Sequence, residues 1–300
     1  MFAFRGSQKT LRASALSVFF VFGRVVLGPI VLGLTVFGLV SGCSADNDPA
    51  QLLPKPSLQT PPSLQSPPQH STGCAPFAKT ERVRVAKIYD GDTLTLSDGR
   101  KVRLVGVNTT EMGRDGQPDQ PFARRAQQSV SLFVRQSDRI ELLLDAQTKD
   151  HYGRWLGHIY NEAGENLERH LLQQGLAYHV AIPPNLTLAE CLAKAERQGR
   201  AARLGVWSDQ GLLPVKAKHI KQGGFQRVQG LVTAVQTGKH WRLALDKKIT
   251  VMIYSEHQHR FTQAWFERLQ GKNIEVQGWV YQSKGKWRIK LETPYGIELL

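Results

Sequence analysis

Twice along this chain the apolar pattern changes period in the same order. Three runs alternate in and out, one repeats about every helical turn, and two more alternate. The first set reads as strands at 81–89, 93–96 and 100–107, a helix at 121–136, and strands at 139–145 and 155–160. Val83 and Val85 share one strand face, while Phe122, Ala126, Val130 and Phe133 lie about a turn apart. The second set reads as strands at 225–235, 241–245 and 249–254, a helix at 259–269, and strands at 273–281 and 286–291. Two further helices, 167–174 and 188–203, trail the first set. Five strands with a helix after the third predict a five-stranded Greek-key barrel. The chain therefore reads as mainly β with helices, one barrel followed by a second, smaller one. No residue-level repeat links the two halves, so the second barrel rests on element order alone.

The class of barrel is the OB-fold, and the charge agrees with a polyanionic partner. The formal net charge is +14, and the first 42 residues hold Arg5, Lys9, Arg12, Arg24 and no acid. Removing those four leaves +10 on the remainder. Such an excess favours nucleic acid first and an anionic membrane surface second. The plainer alternative is a solubilising charge.

The beginning of the chain reads as targeting sequence. Residues 25–40 form a 16-residue apolar run broken by Pro29, short against the ~20 residues of a membrane span. It ends in Val40-Ser41-Gly42-Cys43, which resembles a bacterial lipoprotein signal. That resemblance implies cleavage before Cys43 and lipidation of its thiol. The alternative is an uncleaved anchor. Ser44, where an acid would favour retention in an inner membrane, points to the outer membrane facing the periplasm. Residues 44–72 carry seven prolines among Ser, Gln and Leu and cannot bury a core, so they read as an extended tether. The expected organisation is a signal peptide at 1–42, a tether at 43–73, a catalytic barrel at 74–210, a basic linker at 211–224 and an OB-like barrel at 225–300. Nothing argues for an oligomer. With Cys43 lipidated, Cys74 and Cys191 remain, either bridged, as an exported protein invites, or as two buried thiols.

The chemistry is concentrated between residues 83 and 154. Asp90-Gly91-Asp92-Thr93, then Arg103 through Asn108-Thr109-Thr110-Glu111, then Asp150-His151-Tyr152-Gly153-Arg154 bring together oxygen donors for a hard cation, a spare carboxylate and two guanidinium groups. Those are the parts needed to cut a phosphodiester with a metal ion. These motifs, with Ala195-Glu196 and the Gly205-Val206-Trp207 close, resemble the staphylococcal nuclease (thermonuclease) family over about residues 81–208. The resemblance implies Ca2+ as cofactor, with Asp92 as a ligand, Asp90 acting through water in the outer shell, and Thr109 offering its carbonyl. It implies that Glu111 orients or activates the attacking water, and that Arg103 and Arg154 grip the scissile phosphate. Tyr152 and Tyr178 match tyrosines beside the nucleotide. Asn108 stands where the family has a second acidic ligand, so metal affinity or ion choice should change. His151 replaces a lysine near the nucleotide, and Val180 an aromatic.

The implied function is a metal-dependent nuclease acting on DNA and, by extension, RNA, anchored to the cell envelope. Its rivals are a nucleic-acid-binding lipoprotein that lost hydrolysis, with Asn108 as support, and a structural envelope protein. In the second barrel Trp241, Trp279, Tyr281 and Trp287 alternate with Lys239, Lys284, Lys286 and Arg288. They are either base-stacking residues or core and edge residues.

Overall fold

The computed structural model describes residues 74–113 and 115–300; the leader, Cys43 and the tether lie outside the described residues. Its first part runs β1 (Glu81–Val83), β2 (Val85–Ile88), β3 (Thr93–Leu96), β4 (Lys101–Leu104), β5 (Val107–Asn108), α1 (Ala123–Arg135), β6 (Ile140–Lys149), β7 (Trp155–Asn161), α2 (Leu167–Gln173), β8 (Tyr178–His179) and α3 (Ala189–Ala201). The sheet order is β1-β6-β7-β4-β3-β2. Only Arg84 separates β1 from β2, yet β1 pairs with β6 and β2 with β3. One bent stretch of chain thus serves both edges of the curled sheet. The β4–β7 pairing is parallel, as a Greek-key barrel requires where its third and fifth strands meet.

Alternation builds the core. Leu94 and Leu96 on β3, and Val102 and Leu104 on β4, point inward and are fully buried. Each such side chain contributes roughly 1.5–3 kcal/mol by burial. The intervening Arg103 must then face outward, which is how the strand period aims it at the site. Helix α1 lays Ala126, Val130 and Phe133 on the same core, and α2 adds Leu167, Leu171 and Leu172. Cys74 and Cys191 form a disulfide across a sequence separation of 117, tying the entry of the barrel to α3.

The second part runs β9 (Val215–Lys216), β10 (Gly224–Gln236), β11 (Trp241–Leu245), β12 (Ile249–Ile253), α4 (Gln263–Glu267), β13 (Asn273–Ser283), β14 (Lys286–Lys290) and β15 (Ile297–Leu299). Its sheet closes: β10 pairs with both β11 and β13, and β12 pairs in parallel with β14. Strand order therefore repeats that of the first barrel without a shared sequence. Val228, Leu243, Val251, Phe266, Val276 and Ile289 fill the interior.

Two expectations change. The stretch 211–224 is not a free linker. Val215 and Lys216 pair with β10, and Ala217 and Ile220 are buried in the second core. The helix expected at 259–269 is a 3-10 turn at Ser255–Arg260 followed by the short α4. Phe261 and Thr262 are extended between them, which lets Phe261 and Phe266 both turn into the core.

Candidate active site

The turn between β2 and β3 is built by Asp90. Its Oδ1 accepts from the backbone N–H of Asp92 at 3.0 Å and of Thr93 at 2.7 Å, an Asx turn. Gly91 between them is required by space. A Cβ there would lie 2.6 Å from both Ala126 Cβ and Thr109 Cγ2. Helix α1 and the Thr109 loop therefore press against the turn and hold Asp92 in place. Asp92 is buried, and its Oδ2 accepts from Thr109 N at 2.8 Å and Thr109 Oγ1 at 3.1 Å. Arg103 Nη2 lies 3.2 Å from the same oxygen and 3.3 Å from Asn108 Oδ1, while Nη1 donates to Leu104 O at 2.8 Å. Asp92, Arg103, Asn108 and Thr109 thus form one hydrogen-bonded group. Gly106 makes the sharp turn from β4 to β5 with φ +82°, and a Cβ there would strike Leu192 Cδ1 at 2.3 Å.

Asp90 adds a second buried carboxyl behind this group. Burial, then the neighbouring Asp92 and Glu111, push Asp90 up to about 6, against the pull of its two backbone hydrogen bonds. Glu111 itself is exposed, its backbone N–H held at 2.9 Å by the side-chain oxygen of Gln120.

Arg154 is positioned by a second turn of the same kind. Asp150 Oδ1 accepts from Tyr152 N and Arg154 N, both at 2.9 Å, and Asp150 Oδ2 accepts from Arg154 Nε at 2.7 Å. That guanidinium partner holds the Asp150 carboxyl below its ordinary value although burial opposes it. Asp150 thus positions Arg154, a role its place in the motif alone did not reveal. Its signal was the Asp-x-x-Gly spacing to Gly153, which has φ +79°. Tyr152 is 74% exposed, with the Arg154 guanidinium 5.5 Å and the His151 ring 3.8 Å from its ring centroid.

Arg103, Arg154 and Tyr152 share a cleft of about 550 Å³ with Gln147, Ile182 and Trp279. Gln147, Ile182 and Trp279 come from a strand end, a loop and the second barrel; no local motif announced the first two, and Trp279 stood only among the aromatics alternating with basic residues. Tyr178 does not belong to this set. It is 3% exposed and packs at 5.3 Å on Trp207 and 5.4 Å on Phe225, so the expectation that it lies beside a nucleotide is corrected. Its β8 strand pairs with β5, which turns the ring away from the cleft and toward β10.

Among the described residues no three His, Cys, Asp or Glu side chains group as metal ligands. The oxygen set of Asp92, the Asn108 amide and the Thr109 carbonyl, with Asp90 behind, nevertheless suits a hard cation. Burial raises Asp90 first, and the Asp92 and Glu111 charges that add to it are the kind such a cation relieves.

The two barrels meet through a polar, mostly buried contact. The guanidinium groups of Arg200 and Arg227 lie over the Trp207 ring, at 4.9 and 4.5 Å. Arg227 binds Glu275 with a fork of 2.8 and 3.1 Å, which outweighs burial and keeps that carboxyl below its usual value. Gln277 donates to His179 O at 2.9 Å and to Glu196 Oε1 at 3.3 Å.

Comparison with known proteins agrees with this geometry. The family model described as "Staphylococcal nuclease homologue" matches residues 101–209. A thermonuclease of Staphylococcus intermedius is 30% identical over 148 residues, which is 46% of this chain and 87% of that protein. A thermonuclease of Staphylococcus hyicus is 28% identical over 135 residues, 44% of this chain and 79% of its own length. An endonuclease of Bacillus subtilis (strain 168) is 25% identical over 190 residues, 57% of this chain but only 16% of that much longer protein. Extent and identity together with the barrel and its buried Asp92–Arg103 group lead to one conclusion: this chain belongs to the staphylococcal nuclease family.

Proposed function

We propose that the chain is a nuclease that hydrolyses phosphodiester bonds of DNA, and of RNA as a second substrate. The observation that carries this reading is the convergence of Arg103 and Arg154 on one cleft, each held by a carboxylate. Two planar guanidinium forks on the same cleft suit a phosphate and the charge that develops on it during displacement. Asp92, the Asn108 amide oxygen and the Thr109 carbonyl would hold the divalent cation, with Asp90 behind them. Calcium is the expected ion, and when bound it supplies neutralisation of phosphate charge. Glu111, exposed and close enough for its charge to act on Asp90, orients the attacking water and accepts its proton. Arg103 and Arg154 donate to the phosphate oxygens, and Asp150 keeps Arg154 aimed at them.

The anchoring belongs to the same proposal. The apolar run ending at Cys43 supports a lipid-anchored protein on the periplasmic side of the outer membrane, with the tether extending the barrels from the surface.

The test is cleavage of single-stranded and duplex DNA across a calcium, magnesium and manganese series, with Glu111→Gln and Arg154→Ala beside wild type. The expected losses are about 10²- to 10⁴-fold for Glu111→Gln and about 10²- to 10³-fold for Arg154→Ala. Equal activity in all three proteins would refute the assignment. Binding without cleavage by wild type would instead favour the inactive binding lipoprotein.

A further inference from the structure

We propose that Trp279, on the second barrel, completes the substrate cleft of the first and holds an unpaired base by stacking. The single strand then runs on over Tyr281 and Arg288. This rests on the nuclease reading above.

Trp279 and the two arginines wall the same cleft, although they belong to different barrels. The other tryptophans of the second barrel are accounted for by its core. Trp241 is buried against Phe266, and Trp265 and Trp287 pack on the same cluster. Trp279 is 44% exposed, on the β13 face that alternates outward through Gln277, Trp279 and Tyr281. A singly exposed aromatic is ordinary by itself. This one is propped: Phe225 meets it edge-on at 5.0 Å, and Phe225 rests in turn on the buried Tyr178 at 5.4 Å. The column Tyr178–Phe225–Trp279 therefore carries an aromatic surface from the interior of the contact to the cleft. Tyr178 was expected to meet the nucleotide itself; here it supports the ring that faces the cleft.

The charge beyond the ring continues the path. Ile289 points into the core, so its neighbours Arg288 and Lys290 point out. Arg288 lies opposite Tyr281 in the β13–β14 pairing and carries the positive charge along this face, whereas Lys290, in the groove next to Trp279, is ion-paired with Glu292. Alternating rings and cations beside a phosphate-binding pair suit a single strand, whose bases are free to stack while its backbone is followed by positive charge. A duplex hides its base faces and does not use such a wall.

The experiment uses the full chain, with Trp279→Ala, Trp279→Phe and wild type cutting a labelled single-stranded DNA oligonucleotide and the same sequence as duplex. Trp279→Ala should raise KM for the single strand roughly 5- to 100-fold, with the loss on KM rather than kcat, and Trp279→Phe should recover most of it. Without divalent ions, the oligonucleotide should quench wild-type tryptophan fluorescence, and a part of that quench should vanish in Trp279→Phe. The fluorescence arm decides the matter if Trp279→Ala does not fold. Unchanged KM in an active Trp279→Ala protein, an identical quench in Trp279→Phe, or an equal effect on duplex would each overturn the inference while leaving the nuclease reading intact. A wild-type protein inert on both substrates with all three metals would instead overturn that reading, and this one with it.

Discussion

Glu196 offers a sharp physical test of how the two barrels are joined. It sits on α3 with its carboxylate enclosed between the barrels, and burial pushes it from its ordinary 4.5 up to about 7. Its partners are His179 N–H at 2.7 Å and the Gln277 amide. Arg200, whose charge acts on it, is engaged by Glu275 and Glu298 and gives it no ion pair. A carboxyl whose folded value lies above its unfolded value stabilises the fold below pH 4.5, and that contribution is lost as pH rises through about 7. The gap corresponds to about 3 kcal/mol at pH 8. Glu196→Gln keeps an acceptor for both donors and never ionises. The variant should match wild type near pH 4.5 and exceed it at pH 8 by up to about 3 kcal/mol. For a fold of this size that is a rise of about 6–12 °C in melting temperature. Calorimetric melts of both proteins from pH 4.5 to 8 measure it. A difference between the two that stays constant across that range would refute the reasoning, because it would mean that Glu196 titrates alike in folded and unfolded chains.

Two further outcomes follow from buried groups in the first barrel. His158 lies 3.3 Å from both Asp145 and Glu168, and although burial opposes it, these carboxylates hold the imidazolium up to about 9. Its contribution is complete below pH 6.5 and fades toward pH 9. Replacing His158 by Gln leaves two buried carboxylates without their cation and should cost about 3–5 kcal/mol at pH 7, read by urea unfolding; a loss under 1 kcal/mol would contradict the pairing. Reducing the Cys74–Cys191 bridge, or replacing both cysteines by Ser, should cost about 2–5 kcal/mol, since the closed loop spans 117 positions; unchanged melting under reductant would show that the bridge adds nothing.

The strands were readable because they alternate locally. The 241–245 and 249–254 runs, for example, carry their inward residues at every second position, and the structure places those strands within one residue of expectation. The site was readable in part for a related reason. Asp90-Gly91-Asp92 and Asp150 to Arg154 are turns whose hydrogen bonds span two to four residues, so their chemistry is written in adjacent letters. The structure also joins Asp92 to Thr109, 17 positions away, a link that came only through family resemblance. Residues 211–224 look like a linker because two strand residues and two core residues are too few to show a period.

What the sequence determined by itself was the succession of elements, the OB-fold class of both barrels, and the acids and arginines available for chemistry. Those follow from residue periodicity and from turn hydrogen bonds closed within a few positions. Only the tertiary structure decided which aromatic meets the cleft. Tyr178 and Trp279 are 101 positions apart, and either ring reads as a nucleotide contact until β10 is laid between them. Packing of one barrel on the other buries Tyr178 and leaves Trp279 at the surface, and that choice belongs to no local stretch of chain.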